Sequence, residues 1–429
     1  MRVCIIGGGA AGLCVAKHVC ALPSWPSVVI YEQTSNIGGT WVYTDAIGRD
    51  SNGLTVHSSM YKRMRTNLPK ETMSFPHFPF PVEGPSFIHH SDVLLYLKDY
   101  AAHYNLYKFI KFNRIVSHVS KAVNGTWKVR SRSVVPVDEA DAKEEDEFDA
   151  VFVCNGHYFA PTIPKLPGLE KFAGKVMHSH DYRRAKPFQG LRVACLGAGP
   201  SGTDIALEIA EVAEEVFLCH GHEPLPSKLP SNFQQVPAIS SLSSDGAILC
   251  GPEAQRIQFD VLILCTGYDL ALDFLDLPAL GLKLSCGARR LSPLYQHIIP
   301  VGHPTLFLIG FCFRILPFPF FDTQIRFCLS LLQGQWRLPS ERDQLQWVDQ
   351  DFEYRRSQLG WPDRYAHNMG SLQFDYMREL CRIANIPDEV PPVVENLYKE
   401  VHAYRRRNLA TYKNESYRIV DDETFEKIV

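Results

Sequence analysis

Apolar residues along this chain arrive in short, unbroken runs. Arg2 to Ile6, Val28 to Tyr31, Ala150 to Cys154, Leu191 to Leu196, Val216 to Cys219 and Phe259 to Leu264 have the length and β-favouring content of strands. Two of these runs lead into segments of helical period. After the first, Leu13, Ala16 and Cys20 share one helical face; after the fourth, Thr203 to Val212 places Ile205, Ile209 and Val212 on one face. A longer apolar stretch, Leu306 to Phe321, is broken by Arg314, Pro317 and Pro319, too short and interrupted to span a membrane. Its aromatic part, from Phe311, reads as buried core. The acidic stretch Asp138 to Asp149 reads as a solvated loop, and Arg405-Arg406-Arg407 as a charged helix face. The segment from Glu341 onward is expected to be helical and is a candidate surface for homo-oligomer formation.

The turns between strand and helix carry the chemistry. Gly7-Gly8-Gly9-Ala10-Ala11-Gly12 and Gly197-Ala198-Gly199-Pro200-Ser201-Gly202 both read G-x-G-x-x-G. The first glycine of such a turn permits its tightness, the second lets backbone approach a pyrophosphate, and the third lets helix and strand pack closely. The pyrophosphate then sits on the positive end of the helix. Glu32 lies twenty residues after Gly12 and ends the second strand, where a carboxylate accepts both ribose hydroxyls of an adenosine. In the second unit the corresponding position falls near His220, with no acid until Glu223 and with His222 and Lys228 nearby. A carboxylate there would repel a 2′-phosphate, so its absence favours NADPH over NADH. Two dinucleotide sites in one chain point to redox transfer between them.

Chain order gives the organisation. Asn155-Gly156-His157 and Cys265-Thr266-Gly267-Tyr268 follow strand-like runs, and such exits mark crossings between nucleotide domains. The fold class expected is α/β, with two Rossmann-like dinucleotide-binding domains, the NADPH domain inserted into a discontinuous first domain. Residues 1–157 form the first part of that first domain, 158–266 the insert, and 267–429 the second part with a helical C-terminal segment.

The 429 residues suffice for two or three cores, and a formal charge of −3 leaves no basic footprint for nucleic acid. Twelve cysteines include no C-x-x-C pair, which argues against a dithiol flavoenzyme and against a zinc site, so no metal is expected. Cys4, Cys154, Cys195 and Cys265 sit in apolar runs and read as small buried thiols. Met1 opens almost directly on a strand, which favours a cytoplasmic chain. Asn124-Gly125-Thr126 and Asn414-Glu415-Ser416 match glycosylation acceptors and keep open a secreted origin after removal of an upstream signal.

Between the fingerprints, Phe172-Ala173-Gly174-Lys175-Val176-Met177-His178-Ser179-His180-Asp181-Tyr182-Arg183 fits F-x-G-x-x-x-H-x-x-x-[YF]-[KR]. This resembles the identifying motif of the flavin-containing monooxygenases; the related Baeyer–Villiger motif ends in Trp and Pro or Asp instead. Four further stretches are similar to that family: Ile37-Gly38-Gly39-Thr40-Trp41, the segment Tyr61 to Pro81 with Thr66-Asn67-Leu68-Pro69, Cys265-Thr266-Gly267-Tyr268, and Asp322-Thr323-Gln324-Ile325-Arg326, with Asp where the family has Glu. The resemblance runs to about residue 330, and the chain's length resembles that of compact soluble members such as insect alkaloid N-oxygenases.

The resemblance implies that FAD, reduced by NADPH, takes up O2 at C4a as a hydroperoxide, which then oxygenates a small nucleophile, an amine or a sulfide. It implies FAD contacts from Gly7, Gly9, Ala10, Ala11, Gly12, Glu32, Gly39, Thr40, Trp41, Thr66, Asn67 and Gln324. It implies NADPH contacts from Gly197, Gly199, Pro200, Ser201, Gly202, Thr203, Asp204, His220 and His178. Asn67 is the expected catalytic residue, because an amide donates and accepts hydrogen bonds without supplying an acidic proton. An asparagine before Pro69 also suits a turn cap. His178 is expected to position rather than to transfer protons, with Tyr182 and Arg183 holding the linker or the NADP phosphates. Baeyer–Villiger oxygenation, an NADPH oxidase releasing hydrogen peroxide and a non-catalytic redox sensor are the alternatives.

Overall fold

The computed structural model describes residues 1–23, 27–136, 143–251 and 255–428. Its two largest sheets each have five parallel strands. In the first the order is Leu306–Leu308, Ala150–Val153, Arg2–Ile6, Ser27–Tyr31, Ile110–Lys111. In the second it is Phe233–Val236, Glu215–Cys219, Arg192–Leu196, Val261–Leu264, Lys175–His178. All strands of the second sheet are made between residues 175 and 264, after Ala150–Val153 and before Leu306–Leu308.

Each sheet is covered on both faces, which is why its strands read as continuous apolar runs. Successive side chains point to opposite faces. Val3 and Ile5 pack with the helix Ala10–Cys20, while Cys4 and Ile6 pack under the antiparallel strands Arg114–Lys121, Trp127–Ser133 and Lys143–Phe148. The second sheet repeats the plan. Val193, Cys195 and Ile263 face the helix Pro200–Ala210; Ala194, Leu262 and Leu264 face the small sheet Ile239–Leu242, Gly246–Leu249, Arg256–Gln258.

The structure differs from the pattern reading in three places. Cys20 is exposed, because the helix Ala10–Cys20 is enclosed from Ala10 to Ala16 between its sheet and the helix Pro317–Leu332 rather than resting on one face. Residues 143–148 of the acidic stretch are a strand, not a loop. Its acids lie across from cations: Glu144 pairs with Lys111 and Arg114, Glu145 with Arg130, and Asp146 with Arg2. Residues 137–142 of that stretch lie outside the described residues. The prolines of the stretch Leu306 to Phe321 open a helix rather than end one: Pro317 stands in the first turn, where a missing N–H costs nothing.

The C-terminal segment is helical over Glu341–Glu353, Gln373–Ala384 and Pro392–Arg407, and closes with the hairpin Ser416–Ile419, Phe425–Ile428. Leu397, Val401, Tyr412 and Tyr417 pack around Phe87 and so seal this segment to the first half of the chain. No helix among the described residues is long and apolar enough to cross a membrane.

Candidate functional site

Both fingerprints adopt the same geometry. Gly7 and Gly197 have φ of 110° and 112°, and a Cβ at either would stand 2.5 Å from a carbonyl oxygen, that of Cys154 or of Cys265. A Cβ on Gly12 would run into the Gly7 carbonyl, and one on Gly202 into that of Gly197. Gly9 and Gly199 are the N-caps of their helices and bring no side-chain acceptor, so the first-turn N–H groups remain available to an anion.

The Gly7 N–H donates to Tyr31 O at 2.9 Å, and the Gly197 N–H to Cys219 O at 2.9 Å. Glu32 and His220 are therefore equivalent positions, one residue beyond those acceptors. The Glu32 carboxylate, 5% exposed, accepts the Gly8 N–H at 2.8 Å through one oxygen and the Thr34 N–H and hydroxyl, both at 2.8 Å, through the other. Burial raises its pKa, and these hydrogen bonds oppose the rise. His220 is buried, with its ring against Gln235 Oε1 at 3.3 Å and the His222 N–H at 3.3 Å.

The two turns differ in what covers them. The Gly38 N–H donates to Gly8 O at 3.0 Å, and a Cβ built on Gly9 would lie 3.6 Å from the Gly39 Cα. The segment Gly38-Gly39-Thr40-Trp41 thus closes over the first fingerprint, with Ser58 Oγ on Thr40 O at 2.7 Å and Trp41 edge-on to Phe318 at 6.5 Å. Over the second fingerprint nothing lies within 4 Å of a Cβ built on Gly199, and Gly199 and Pro200 are exposed.

Two buried hydroxyls, Thr40 Oγ1 and Thr66 Oγ1, have no hydrogen-bond partner among the described residues. Next to Thr66 in the chain, the half-buried Asn67 amide makes no hydrogen bond among the described residues, and the short helix Lys70–Met73 is N-capped by Pro69. The turn-cap role is therefore not the one Asn67 plays. Orphaned donors beside a glycine cradle fit a dinucleotide that brings its own oxygens and nitrogens.

Other expected contacts are engaged by the protein. Gln324, fully buried, accepts the Gly310 N–H at 3.0 Å and donates to Tyr376 Oη at 3.0 Å. The Asp204 carboxylate takes the Lys413 ammonium at 2.5 Å and the Tyr61 hydroxyl at 3.3 Å. Thr203 Oγ1 donates back to Gly199 O at 3.1 Å. Ala10 and Ala11 are buried in the first turn of their helix, and Ser201 is half-buried in the first turn of the other.

His178 ends the edge strand of the second sheet. Its Nδ1 accepts the His180 N–H at 3.0 Å and its Nε2–H donates to Gly267 O at 3.1 Å, so the motif histidine fastens one crossing segment to the other. Burial lowers its pKa to about 4, with His180 adding to the effect. Arg183 gives its donors to backbone carbonyls, of His180 at 2.6 Å, Tyr182 at 3.0 Å and Ala46 at 2.9 Å. It holds the linker, and the phosphate role considered for it is not open to these donors. Tyr182, fully buried, lies between Tyr61 and Phe188.

Pattern reading missed the aromatic and histidine lining of the seam. Tyr268 is ringed by His178 at 5.3 Å, His180 at 5.7 Å and Tyr158 at 5.6 Å, and His57 stacks on Phe159 at 4.7 Å. The signal available for Tyr158, Phe159 and Tyr268 was that they stand at or just after the two strand exits. Arg405 was also missed: it stands 3.3 Å from Thr203 Oγ1 instead of lying on a solvated face with Arg406 and Arg407, which are exposed.

Comparison with known proteins agrees with this geometry. The flavin-binding monooxygenase-like family matches residues 1–223 and 227–420. The flavin-containing monooxygenase FMO GS-OX-like 3 of Arabidopsis thaliana is 34% identical over 399 residues, covering 89% of this chain and 86% of the relative. Senecionine N-oxygenase of Tyria jacobaeae is 30% identical, covering 99% of this chain and 91% of its own. The solved structure of S-allyl-L-cysteine S-oxygenase from Allium sativum superposes with a TM-score of 0.87 at 31% identity, over 97% of this chain and 95% of that one. Two Rossmann-like sheets, the glycine cradles and a match over almost the whole length converge on one conclusion: this chain belongs to the flavin-binding monooxygenase-like family, enzymes whose cofactors are FAD and NADP.

Proposed function

We propose that this chain is an NADPH- and O2-dependent monooxygenase acting on soft nucleophiles, the nitrogen of tertiary amines or the sulfur of sulfides. The observation that carries the reading is the asymmetry of two otherwise equal fingerprints. The first is roofed by Gly38 to Trp41 and backed by Glu32, as a resident FAD requires; the second is open at Gly199 and has His220 in place of the acid, as an exchanging NADPH requires. Residues 1–157 and 267–429 then form the FAD domain and 158–266 the NADPH domain.

FAD reduced by NADPH supplies the electrons with which O2 is split between substrate and water. The chain's own part is to bind, orient and exclude. Thr40 and Thr66 offer hydroxyls to the flavin-side dinucleotide. Asn67 offers a neutral amide next to them, able to hydrogen-bond without protonating an oxygenated cofactor. The neutral His57, His157 and His178, each lowered to about 4 chiefly by burial, keep acidic protons out of the seam near pH 7. The N- and S-oxygenase names of the relatives support both nucleophile classes. Twelve free cysteines support a reducing compartment such as the cytoplasm.

The test follows NADPH loss by the purified yellow protein and compares tertiary-amine N-oxide or sulfoxide with peroxide formed. Product matching NADPH is expected. Peroxide alone, with every amine and sulfide tried, would mean an oxidase, and no NADPH loss a binding protein. Asn67→Ala should cut oxygenated product at least about tenfold with FAD still bound; full turnover would remove Asn67 from the mechanism.

A further inference from the structure

The C-terminal segment touches both halves of this site through one short stretch. Arg405 reaches Thr203 Oγ1 at 3.3 Å, and the Leu409 N–H donates to Ser227 Oγ at 2.8 Å, so the stretch is moored to the second unit. Tyr412 is buried edge-on to Phe87 at 5.2 Å, which moors it to the first. Lys413 follows Tyr412 directly. Its ammonium donates to Asp204 Oδ2 at 2.5 Å and to Arg65 O at 3.1 Å. Asp204 is two residues past Gly202, and Arg65 O is the carbonyl immediately before Thr66-Asn67. The Arg65 guanidinium completes the loop by donating to Lys413 O and, at 2.9 Å, to Phe87 O. The ion pair is largely shielded from solvent, its side chains 18% and 12% exposed.

We propose that Lys413 is a positioning residue: it clasps the second fingerprint helix to the Thr66-Asn67 segment and thereby sets the distance between the two dinucleotide sites. The inference rests on the proposed assignment of FAD to the first fingerprint and NADPH to the second. The neighbours of the ammonium explain why it must be lysine or a close replacement. It faces one carboxylate, one backbone carbonyl and the nearby cations Arg65 and Arg405, so a neutral residue leaves Asp204 with only the Tyr61 hydroxyl. Hydride transfer and protection of the oxygenated cofactor both depend on placement to within about 1 Å. A loosened clasp leaves each site built but mis-set. NADPH, a proton and O2 then give NADP+ and hydrogen peroxide, both oxygen atoms leaving in the peroxide and no bond forming to substrate.

The experiment compares the parent with Lys413→Gln, Lys413→Arg and Arg65→Ala. The Arg65 substitution frees the same stretch without removing the ammonium. Three quantities are read: bound FAD, oxygenated product per NADPH consumed, and hydrogen exchange at Thr66 and across residues 200–204 in the absence of NADPH. Lys413→Gln and Arg65→Ala should keep FAD, lose roughly tenfold in product per NADPH with peroxide making up the difference, and exchange faster at both segments. Lys413→Arg should restore coupling and exchange. If Lys413→Gln loses FAD, Arg65→Ala decides. Parental coupling and parental exchange in an FAD-retaining variant overturn the clasp. A parent that consumes no NADPH overturns the functional reading instead, and the exchange measurement still judges the clasp.

Discussion

His178 has no freedom of protonation in the folded chain. Nδ1 must accept the His180 N–H and Nε2–H must donate to Gly267 O, so the ring is held neutral in one tautomer. Burial, with His180 and Arg289 on the same side and the Gly267 carbonyl and Asp181 opposing, takes its pKa down to about 4 from an ordinary value near 6.5. A lowered histidine pKa means that the unfolded chain binds a proton the native chain refuses. The stability it contributes is complete above about pH 6.5 and drains as the pH falls from there to about 4. His57 and His157, also lowered to about 4, act in the same direction and over the same window. Thermal stability should therefore fall steeply below pH 6.5. His178→Asn, which keeps an acceptor but cannot titrate, should make that slope shallower by up to about 1.4 kcal/mol per pH unit. A melting series from pH 7 to 4 checks it, and parallel curves for parent and variant would show that His178 does not titrate as argued.

At the scale of elements, the two strand–turn–helix units are nearly superimposable in backbone and unlike in cover, and this yields a differential test. Neither Gly12 nor Gly202 can take a Cβ without displacing the carbonyl of Gly7 or Gly197. Gly12→Ala should therefore yield a colourless protein, having lost FAD. Gly202→Ala should stay yellow while its affinity for NADP+, measured by calorimetry, falls at least about tenfold. Loss of FAD from both would mean that the units are not independent sites. These elements were legible in the sequence because parallel strands covered on both faces leave uninterrupted apolar runs and tight turns leave glycines. Their ends moved by one to three residues: Pro200, read as turn, already stands in the helix. The strand at residues 143–148 was not legible, since it is held by its ladder to Trp127–Ser133 and its acids are matched by cations on Arg2, Lys111, Arg114 and Arg130, none of them its neighbours in sequence. The open or closed state of each fingerprint was equally hidden, because it depends on how near the Gly38 to Trp41 loop comes to Gly9.

At the scale of the molecule, sequence motifs account for the two nucleotide units, whereas the C-terminal hundred residues carry no motif and bind through dispersed side chains. One of their ties to the rest of the chain is a run of polar groups from Leu291 to Arg355. The Leu291 N–H donates to His367 Nε2 at 3.1 Å, which leaves the His367 proton on Nδ1 facing His297 Nδ1 at 3.1 Å. The other His297 ring nitrogen, Nε2, lies 3.3 Å from Asp351 and 3.1 Å from the Arg355 guanidinium, and Arg355 donates through Nε to the same carboxylate oxygen at 2.7 Å. Burial alone would raise the Asp351 pKa; His297 and Arg355 more than offset it and hold the carboxyl well below its usual range. Next to His297, Tyr376 donates to Gln296 O at 2.6 Å and accepts from Gln324, which grips the Gly310 N–H just past the strand Leu306–Leu308. The C-terminal helices are in this way wired to the loop that leaves the first sheet. Arg355→Met should strand Asp351 as a buried, half-paired carboxylate and cost about 3–5 kcal/mol. The melting temperature should drop by several degrees, and hydrogen exchange should accelerate over residues 363–384 before it does in the sheet built from residues 175–264. Adding Asp351→Asn should recover much of the loss, because removing both charges is cheaper than orphaning one. A single variant that melts with the parent, or a double variant no better than the single, would mean that packing of the C-terminal helices, and not this polar chain, holds them to the unit of the first sheet.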